Sequence, residues 1–371
     1  MKRFGYLVEK IAEYDNVLLA FYKAKKGKQD KSEVLSFEES LEENVDAISK
    51  SILTGEVEVG KYYRFTIEDP KKRTICAAAF EERVLHHAIM NICHPIFERQ
   101  LIFDTYATRP GKGVHKALKR AKQAAVRYPY VGKLDVRKYF DSISHGILIE
   151  KSERIFKDAT LLKIFSEIIQ SYEVSSGKGI PIGNLTSQYF ANFYLSSLDH
   201  YVKEDLHTPA YVRYMDDMLI FGKTKKEVKT VIEHIVQYAE QKLELQIKTP
   251  VVVGTQQGVS FCGYRLYDKK ILLNSRSKKR FTKKYMEYEG KLEKNEWTQQ
   301  VYQQHMIPLL SFTQHAYSKA YRRNVWSKVR KGRTASCAAV VGTTTPGTVA
   351  SRIVTTTTLT TGTTTTASAL S

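Results

Sequence analysis

Cysteine is scarce in this chain. Cys76, Cys93, Cys262 and Cys337 are its four, they are far apart, and none forms a C-x-x-C pair. That spacing argues against a zinc site and against a secreted disulfide framework. Long apolar runs are missing as well: no window approaches about eighteen uncharged apolar residues, so no transmembrane helix is expected. The basic start Met1-Lys2-Arg3 meets Glu9, Lys10, Glu13 and Asp15 before any apolar run reaches signal length, so no export signal is expected. A soluble intracellular protein is the resulting expectation. Acidic residues stop early too, and none follows Glu296.

Basic residues are what the chain has in excess. Its 371 residues carry 58 Lys+Arg against 39 Asp+Glu, a formal net charge of +19, while 42% of them are hydrophobic. That length holds a sizeable core and two or three domains. A normal apolar fraction combined with distributed positive charge predicts a folded protein with an anionic partner, and nucleic acid is the leading class because such a surface neutralises phosphates. Simple solubility is the plainer explanation of the same charge. The basic residues cluster, with Lys112, Lys116, Lys119, Arg120, Lys122, Arg127 and Lys133 between Gly111 and Lys133 and no acid among them. Arg276, Lys278, Lys279, Arg280, Lys283 and Lys284 fill six of nine positions farther on. Two basic segments flanking a less charged middle predict a cleft with charged walls.

The middle of the chain, from Tyr128 to Leu273, has mixed periodicity. Val131 to Val136 and Tyr211 to Phe221 are apolar runs of strand length, and Val251 to Val253 and Val259 to Leu266 predict further strands. Helical spacing covers Val114 to Arg127, Leu185 to Val202 and Lys225 to Leu243. Strand, helix, hairpin, helix and strand in that order predict an α+β fold rather than a parallel βαβ series. From Arg276 to Arg330 the chain is polar, basic and rich in helix formers. Fifteen of the 41 residues from Lys331 to Ser371 are Thr, without charge pairing or amphipathic period, which predicts disorder.

Carboxylates supply the chemistry. Asp216-Asp217 interrupts an apolar stretch long enough for two short strands, where a tight hairpin would carry the pair at its tip. Adjacent acids repel unless a cation sits beside them. Asp135 ends another predicted strand; if that strand pairs beside the hairpin, Asp135 and Asp216 converge on one hard-cation site suited to Mg²⁺ and phosphates. Taken alone, an Asp-Asp pair is more often a solvated turn.

The company these residues keep identifies them. Tyr214-Met215-Asp216-Asp217 between apolar strands, with Asp135 upstream and Phe140 five residues beyond it, resembles the palm of a reverse transcriptase. The likeness continues through Gly179-Ile180-Pro181-Ile182-Gly183-Asn184-Leu185-Thr186-Ser187-Gln188 and Phe261-Cys262-Gly263-Tyr264, in the family's order. It implies a right-hand polymerase: fingers over residues 1–127, a palm over 128–265 with a fingers insertion at about 142–178, a helical thumb over 266–330, and a loose tail over 331–371. It also implies catalytic Asp135, Asp216 and Asp217, with Val136 adding its carbonyl to two Mg²⁺ ions, for which Mn²⁺ could substitute. Lys71 and Arg73 would grip the incoming triphosphate, and Arg73 has the fork that suits phosphate oxygens. Phe140 would act as steric gate against a 2′-hydroxyl. Ile182 and Gln188 would pack near the nascent base pair, and Lys248 would stand near the leaving pyrophosphate. Lys112, Lys116 and the six thumb residues would contact nucleic-acid backbone. His86 and His87, on an apolar helix without ligand partners, are expected to pack rather than bind metal.

The form Ile182-Gly183-Asn184-Leu185-Thr186-Ser187-Gln188 resembles the reverse transcriptases of diversity-generating retroelements more than the Q-G-x-x-x-S-P form of group II intron and retron types. That resemblance implies mutagenic retrohoming, with errors at template adenines and a template-repeat RNA. It further implies deoxynucleotides, an RNA/DNA hybrid, a basic accessory variability protein and a bacterial or phage-encoded cytoplasmic enzyme. Thr codons are ACN, so the runs at 343–345, 355–358 and 363–366 become AAC repeats when the frame shifts by one base and N is A. The tail is therefore expected to be a template repeat read out of frame. No RNase H, maturase or endonuclease domain is expected in the remaining length. The alternatives are a retron or group II-like enzyme, a non-catalytic RNA-binding protein and a metal nuclease.

Overall fold

A computed structural model describes residues 3–68 and 73–338. Four N-terminal helices, α1 (Val8–Ala12), α2 (Tyr14–Lys25), α3 (Ser32–Glu39) and α4 (Leu41–Thr54), precede a two-stranded hairpin of β1 (Tyr62–Ile67) and β2 (Arg73–Ala78). Next come α5 (Phe80–Glu98) and α6 (Val114–Arg127), the second with the bounds its periodicity predicts. α5 and α2 pack along each other, burying Val84, Leu85, Ala88 and Ile89 against Val17, Ala20 and Phe21. A run of apolar positions three and four apart is what makes such a pair face inward.

The central sheet has the order β4-β5-β3-β6 and is antiparallel throughout. Its strands are β3 (Tyr130–Asp135), β4 (Ala210–Tyr214), β5 (Asp217–Gly222) and β6 (Val251–Gly254). Between β3 and β4 the chain forms α7 (Tyr139–Ser142), α8 (His145–Ile155), α9 (Ala159–Gln170), α10 (Leu185–Tyr194) and α11 (Ser196–His200), then a π-helical turn at Tyr201–Asp205. Leu185 to Val202 was expected as one helix; it divides at Leu195, the cap between α10 and α11.

α12 (Lys225–Leu243) starts on a capping box in which Thr224 Oγ1 accepts from the Glu227 amide at 3.1 Å. Its apolar face, Val228, Ile232, Ile235, Ala239 and Leu243, packs on β3 and β5. The approach is close because the facing strand residues are glycines. A Cβ at Gly132 would lie 2.6 Å from Ile232 Cδ1, and one at Gly222 would lie 2.8 Å from Val228 Cγ2.

A three-stranded sheet follows: β7 (Val259–Phe261), β8 (Tyr264–Leu266) and β9 (Ile271–Leu273). The single run predicted from Val259 to Leu266 thus folds back at Cys262-Gly263, where both residues have positive φ. α13 (Ser275–Glu293) and α14 (Gln299–Gln314) complete the compact unit that ends at Ser318. One hydrophobic cluster runs through it from Leu7 to Leu245, and the expected boundaries at 127 and 265 fall inside this unit. α15 (Lys319–Ala338) belongs to a second unit. The segment expected to be disordered from Lys331 is therefore helical over its first eight residues, and 339–371 lie outside the described residues. No helix among the described residues is long and apolar enough to cross a membrane.

Candidate active site

The β4-β5 hairpin closes through the Tyr214↔Asp217 pair, leaving Met215 and Asp216 as a two-residue turn. Met215 has φ 54°, a left-handed conformation that costs a non-glycine residue about 1–2 kcal/mol. β3 lies next to β5, and Asp135 stands directly opposite Asp217. Cross-strand partners share a face, so the strand end and the hairpin tip present their carboxylates together.

Each carboxylate has different company. The Asp135 carboxylate is paired with the Lys248 ammonium, and its carbonyl accepts from the Lys248 amide at 2.9 Å. The bridge between Val136 and Ile247 places Lys248 there. Asp216 is half-buried; desolvation first, then repulsion from Asp135, raises its pKa, while Lys248 and Arg73 oppose the rise. Asp217 Oδ1 lies 3.1 Å from Lys133 Nζ and Oδ2 accepts from the Cys262 amide at 3.4 Å. Burial pushes the Asp217 pKa up to about 6, with the Lys133 ammonium as the main opposing influence. Lys133 Nζ also donates to the Ser260 carbonyl at 2.8 Å, which ties the sheet to β7.

These groups line a cleft of about 860 Å³ together with Arg73 and with Arg276, Lys278 and Arg280 of α13. Among the described residues, no three or more His, Cys, Asp or Glu are grouped so as to hold one ion. The structure brings Asp135 and Asp216 together as a repelling pair and gives Asp217 to Lys133 and Cys262. An oxygen-only pair of carboxylates opening on a basic cleft fits Mg²⁺, which commonly takes one or two carboxylates and completes its shell with water and substrate phosphates.

The other expected site residues are more dispersed. Lys71 lies outside the described residues. Phe140, half-buried in α7, accepts through its carbonyl from the Ile180 amide at 2.9 Å and does not line the cleft. The Ile182 carbonyl accepts from the Cys76 amide at 2.8 Å, docking its loop on β2. Gln188 Oε1 is 3.4 Å from Thr108 Oγ1. Lys112 donates to the Phe103 carbonyl at 2.8 Å, Lys116 is exposed on α6, and neither lines the cleft. Lys279, Lys283 and Lys284 lie on α13 away from the cleft lining. His86 is buried with its pKa depressed to about 3 by desolvation, as expected of a packing residue.

Sequence reasoning passed over Lys133, which it read only as part of a basic run. The available signal was its spacing: two residues before Asp135 on one strand, it shares that carboxylate's face. It also passed over Arg213, a charge within the apolar strand β4.

The family model described as "Reverse transcriptase (RNA-dependent DNA polymerase)" matches residues 68–266. Protein YkfC of Escherichia coli is 24% identical over 245 residues, covering 54% of this chain and 64% of that protein. The group II intron-encoded protein LtrA of Lactococcus lactis is 24% identical over 170 residues, covering 43% of this chain and 28% of that protein. The chain thus spans less than two thirds of the length of these relatives. Telomerase from Candida tropicalis, solved in complex with a TWJ fragment of telomeric RNA, aligns with a TM-score of 0.45 at 12% identity, over 73% of this chain and 55% of that one.

Proposed function

Because the chain belongs to the reverse transcriptase (RNA-dependent DNA polymerase) family, we propose that it copies an RNA template into DNA by nucleotidyl transfer at the Asp135–Asp216 cleft. The right-hand polymerase fold goes with the family: the N-terminal helices and β1-β2 are the fingers, the four-stranded sheet the palm, and α13-α14 the thumb. The observation that carries the reading is the repelling Asp135–Asp216 pair facing Arg73 and Lys248 in one basic cleft.

Bound there, two Mg²⁺ ions would activate the primer 3′-hydroxyl and stabilise the departing pyrophosphate oxygen. Asp135 and Asp216 would hold the cations, with the Val136 carbonyl as a further oxygen ligand. Asp217 ties the hairpin tip to the β7-β8 turn through Lys133 and Cys262. Arg73, with Lys71, binds the triphosphate, and its planar fork matches phosphate oxygens. Lys248 gives a proton to the pyrophosphate as it leaves. Phe140 would exclude a 2′-hydroxyl, Ile182 and Gln188 would bound the nascent base pair, and Arg276, Lys278 and Arg280, the α13 cations that line the cleft, would track the hybrid by phosphate contact.

The subtype proposed is that of a diversity-generating retroelement, a bacterial or phage-encoded cytoplasmic enzyme. It would copy a template-repeat RNA with adenine-directed errors, assisted by a basic accessory variability protein. The Ile182 to Gln188 sequence supports this. A group II intron or retron type is the second reading, favoured by the likeness to LtrA. Primer extension on RNA, with Asp216→Ala and Asp217→Ala as controls, tests the activity; wild-type extension no higher than in the controls refutes it. Sequencing the cDNA tests the subtype: errors concentrated at template adenines are expected, and uniformly low error at adenine decides for the second reading.

A further inference from the structure

Beneath the Met215-Asp216 turn, Arg213 and Asp199 form an ion pair in which both side chains have 0% exposure. Taking two such charges out of water is costly unless every donor finds an acceptor. Here every donor does. Arg213 Nε donates to Asp199 Oδ1 at 2.7 Å and Nη2 donates to Asp199 Oδ2 at 2.5 Å. Nη2 also reaches the Asn192 carbonyl at 3.1 Å, and Nη1 reaches Asn192 Oδ1 at 2.9 Å. The fifth bond goes from Nη1 to the Met215 carbonyl, also at 2.9 Å. A guanidinium has five N–H donors in a fixed fork, so the side chain is fully used and has one orientation.

The surroundings hold that fork in place. Asp199 also accepts from the Tyr211 hydroxyl at 2.8 Å and from Thr105 Oγ1 at 3.3 Å. Asn192 Nδ2 donates to the Ala107 carbonyl at 2.9 Å. The Arg213 backbone is clamped on both sides, its amide donating to the Asp104 carbonyl at 3.0 Å and its carbonyl accepting from the Tyr106 amide at 3.0 Å. α10, α11 and the 104–107 segment thus converge on one side chain, and that side chain spends one donor on the residue before Asp216. Met215 is also the residue held at φ 54°.

We propose that Arg213 is a positioning residue for the active site: its Nη1 bond to the Met215 carbonyl holds the strained turn and so sets where the Asp216 carboxylate stands relative to Asp135. This rests on the reading of Asp216 as a cation-holding carboxylate. A guanidinium serving only to neutralise Asp199 would not need the Met215 bond. Lysine in its place keeps the charge, but its single nitrogen cannot span Asp199, Asn192 and the Met215 carbonyl together.

Arg213→Lys separates the two roles, read by thermal unfolding, by Mn²⁺ titration of the protein without nucleotide, and by single-turnover primer extension. In the folded variant, the incorporation rate is expected to fall about a hundredfold, as for a misplacement on the order of 1 Å. Deoxynucleotide affinity is expected to stay within about threefold, since the lost interaction acts on the chemical step. Mn²⁺ affinity should weaken about tenfold, as when the groups orienting a ligand are removed. Asn192→Ala keeps the Arg213–Asp199 pair, removes the other anchor of Nη1, and should show the same pattern more weakly. It decides the matter if Arg213→Lys does not fold. Folded variants with wild-type Mn²⁺ affinity and wild-type incorporation overturn the proposal. Should the wild-type protein extend no primer at all, the polymerase reading falls, and the Mn²⁺ titrations still test Arg213.

Discussion

Lys248 meets Asp135 twice: its amide donates to the Asp135 carbonyl at 2.9 Å, and its ammonium pairs with the Asp135 carboxylate. One side chain therefore offsets the charge that a cation would otherwise offset. In the proposed reaction an arriving cation would compete with that ammonium, and the displaced ammonium would stand where the leaving group takes a proton.

Lys248→Ala is accordingly expected to have opposite effects on binding and chemistry. Without the competing ammonium, Mn²⁺ binds the nucleotide-free protein more tightly. Without the proton donor, incorporation slows by about 10²–10⁴-fold. Titration and single-turnover kinetics on the same preparation check both; unchanged incorporation would remove Lys248 from the chemistry.

Asp217 makes stability depend on pH. Its pKa in the folded protein is about 6, against an ordinary value of 3.8, so the folded state keeps a proton that the unfolded chain releases. The associated stability is complete below pH 3.8 and lost as pH rises through about 6. At pH 7, in chelator, Asp217→Asn should raise stability by on the order of 3 kcal/mol, and the gain should disappear in acid. Thermal scans across that range measure it. A constant difference at every pH would place the effect elsewhere.

Phe140 is held by its backbone bond to Ile180 and lies edge-on to Tyr139, at 5.8 Å between ring centroids. If it excludes a 2′-hydroxyl, Phe140→Ala should narrow the preference for deoxynucleotides over ribonucleotides about a hundredfold. Competition between the two substrates in one extension reaction reads that ratio. Equal loss of both substrates would identify Phe140 as packing only.

The α13 cations differ in where they stand. Arg276 lines the cleft and Lys279 does not. Arg276→Ala is expected to reduce the slope of log affinity against log salt for an RNA/DNA hybrid by about 0.7–0.9, one phosphate contact. Lys279→Ala should leave the slope nearer that of the wild type. Identical slopes for the two variants would mean that the hybrid does not follow the cleft.

The strands and helices that frame the site were legible because their signals are local. Val131 to Val136, Tyr211 to Phe221 and Lys225 to Leu243 each carry their own period, and the Asp216-Asp217 turn punctuates two apolar strands. The pairing of β3 beside β5 was stated only as a condition, because register is a property of two segments. What stayed hidden was long-range electrostatics. Nothing in the spacing from Lys133 to Cys262 says that both would meet Asp217, and the fork of Arg213 closes on Asn192 and Asp199 of the preceding helices and on the Met215 carbonyl of its own hairpin. The fold-back at Cys262-Gly263 was read as continuous strand because a cysteine at positive φ leaves little local trace.

Gly132 and Gly222 let α12 rest directly on the strands whose ends carry Asp135 and Asp217. A Cβ at either glycine would come within 3.0 Å of Val228 or Ile232 side-chain atoms, so the seat of α12 on the sheet depends on both positions staying bare. Alanine at Gly132, alone and paired with a smaller residue at Ile232, would test whether the fit of α12 bears on the carboxylates at the sheet's edge without altering any group proposed to touch substrate.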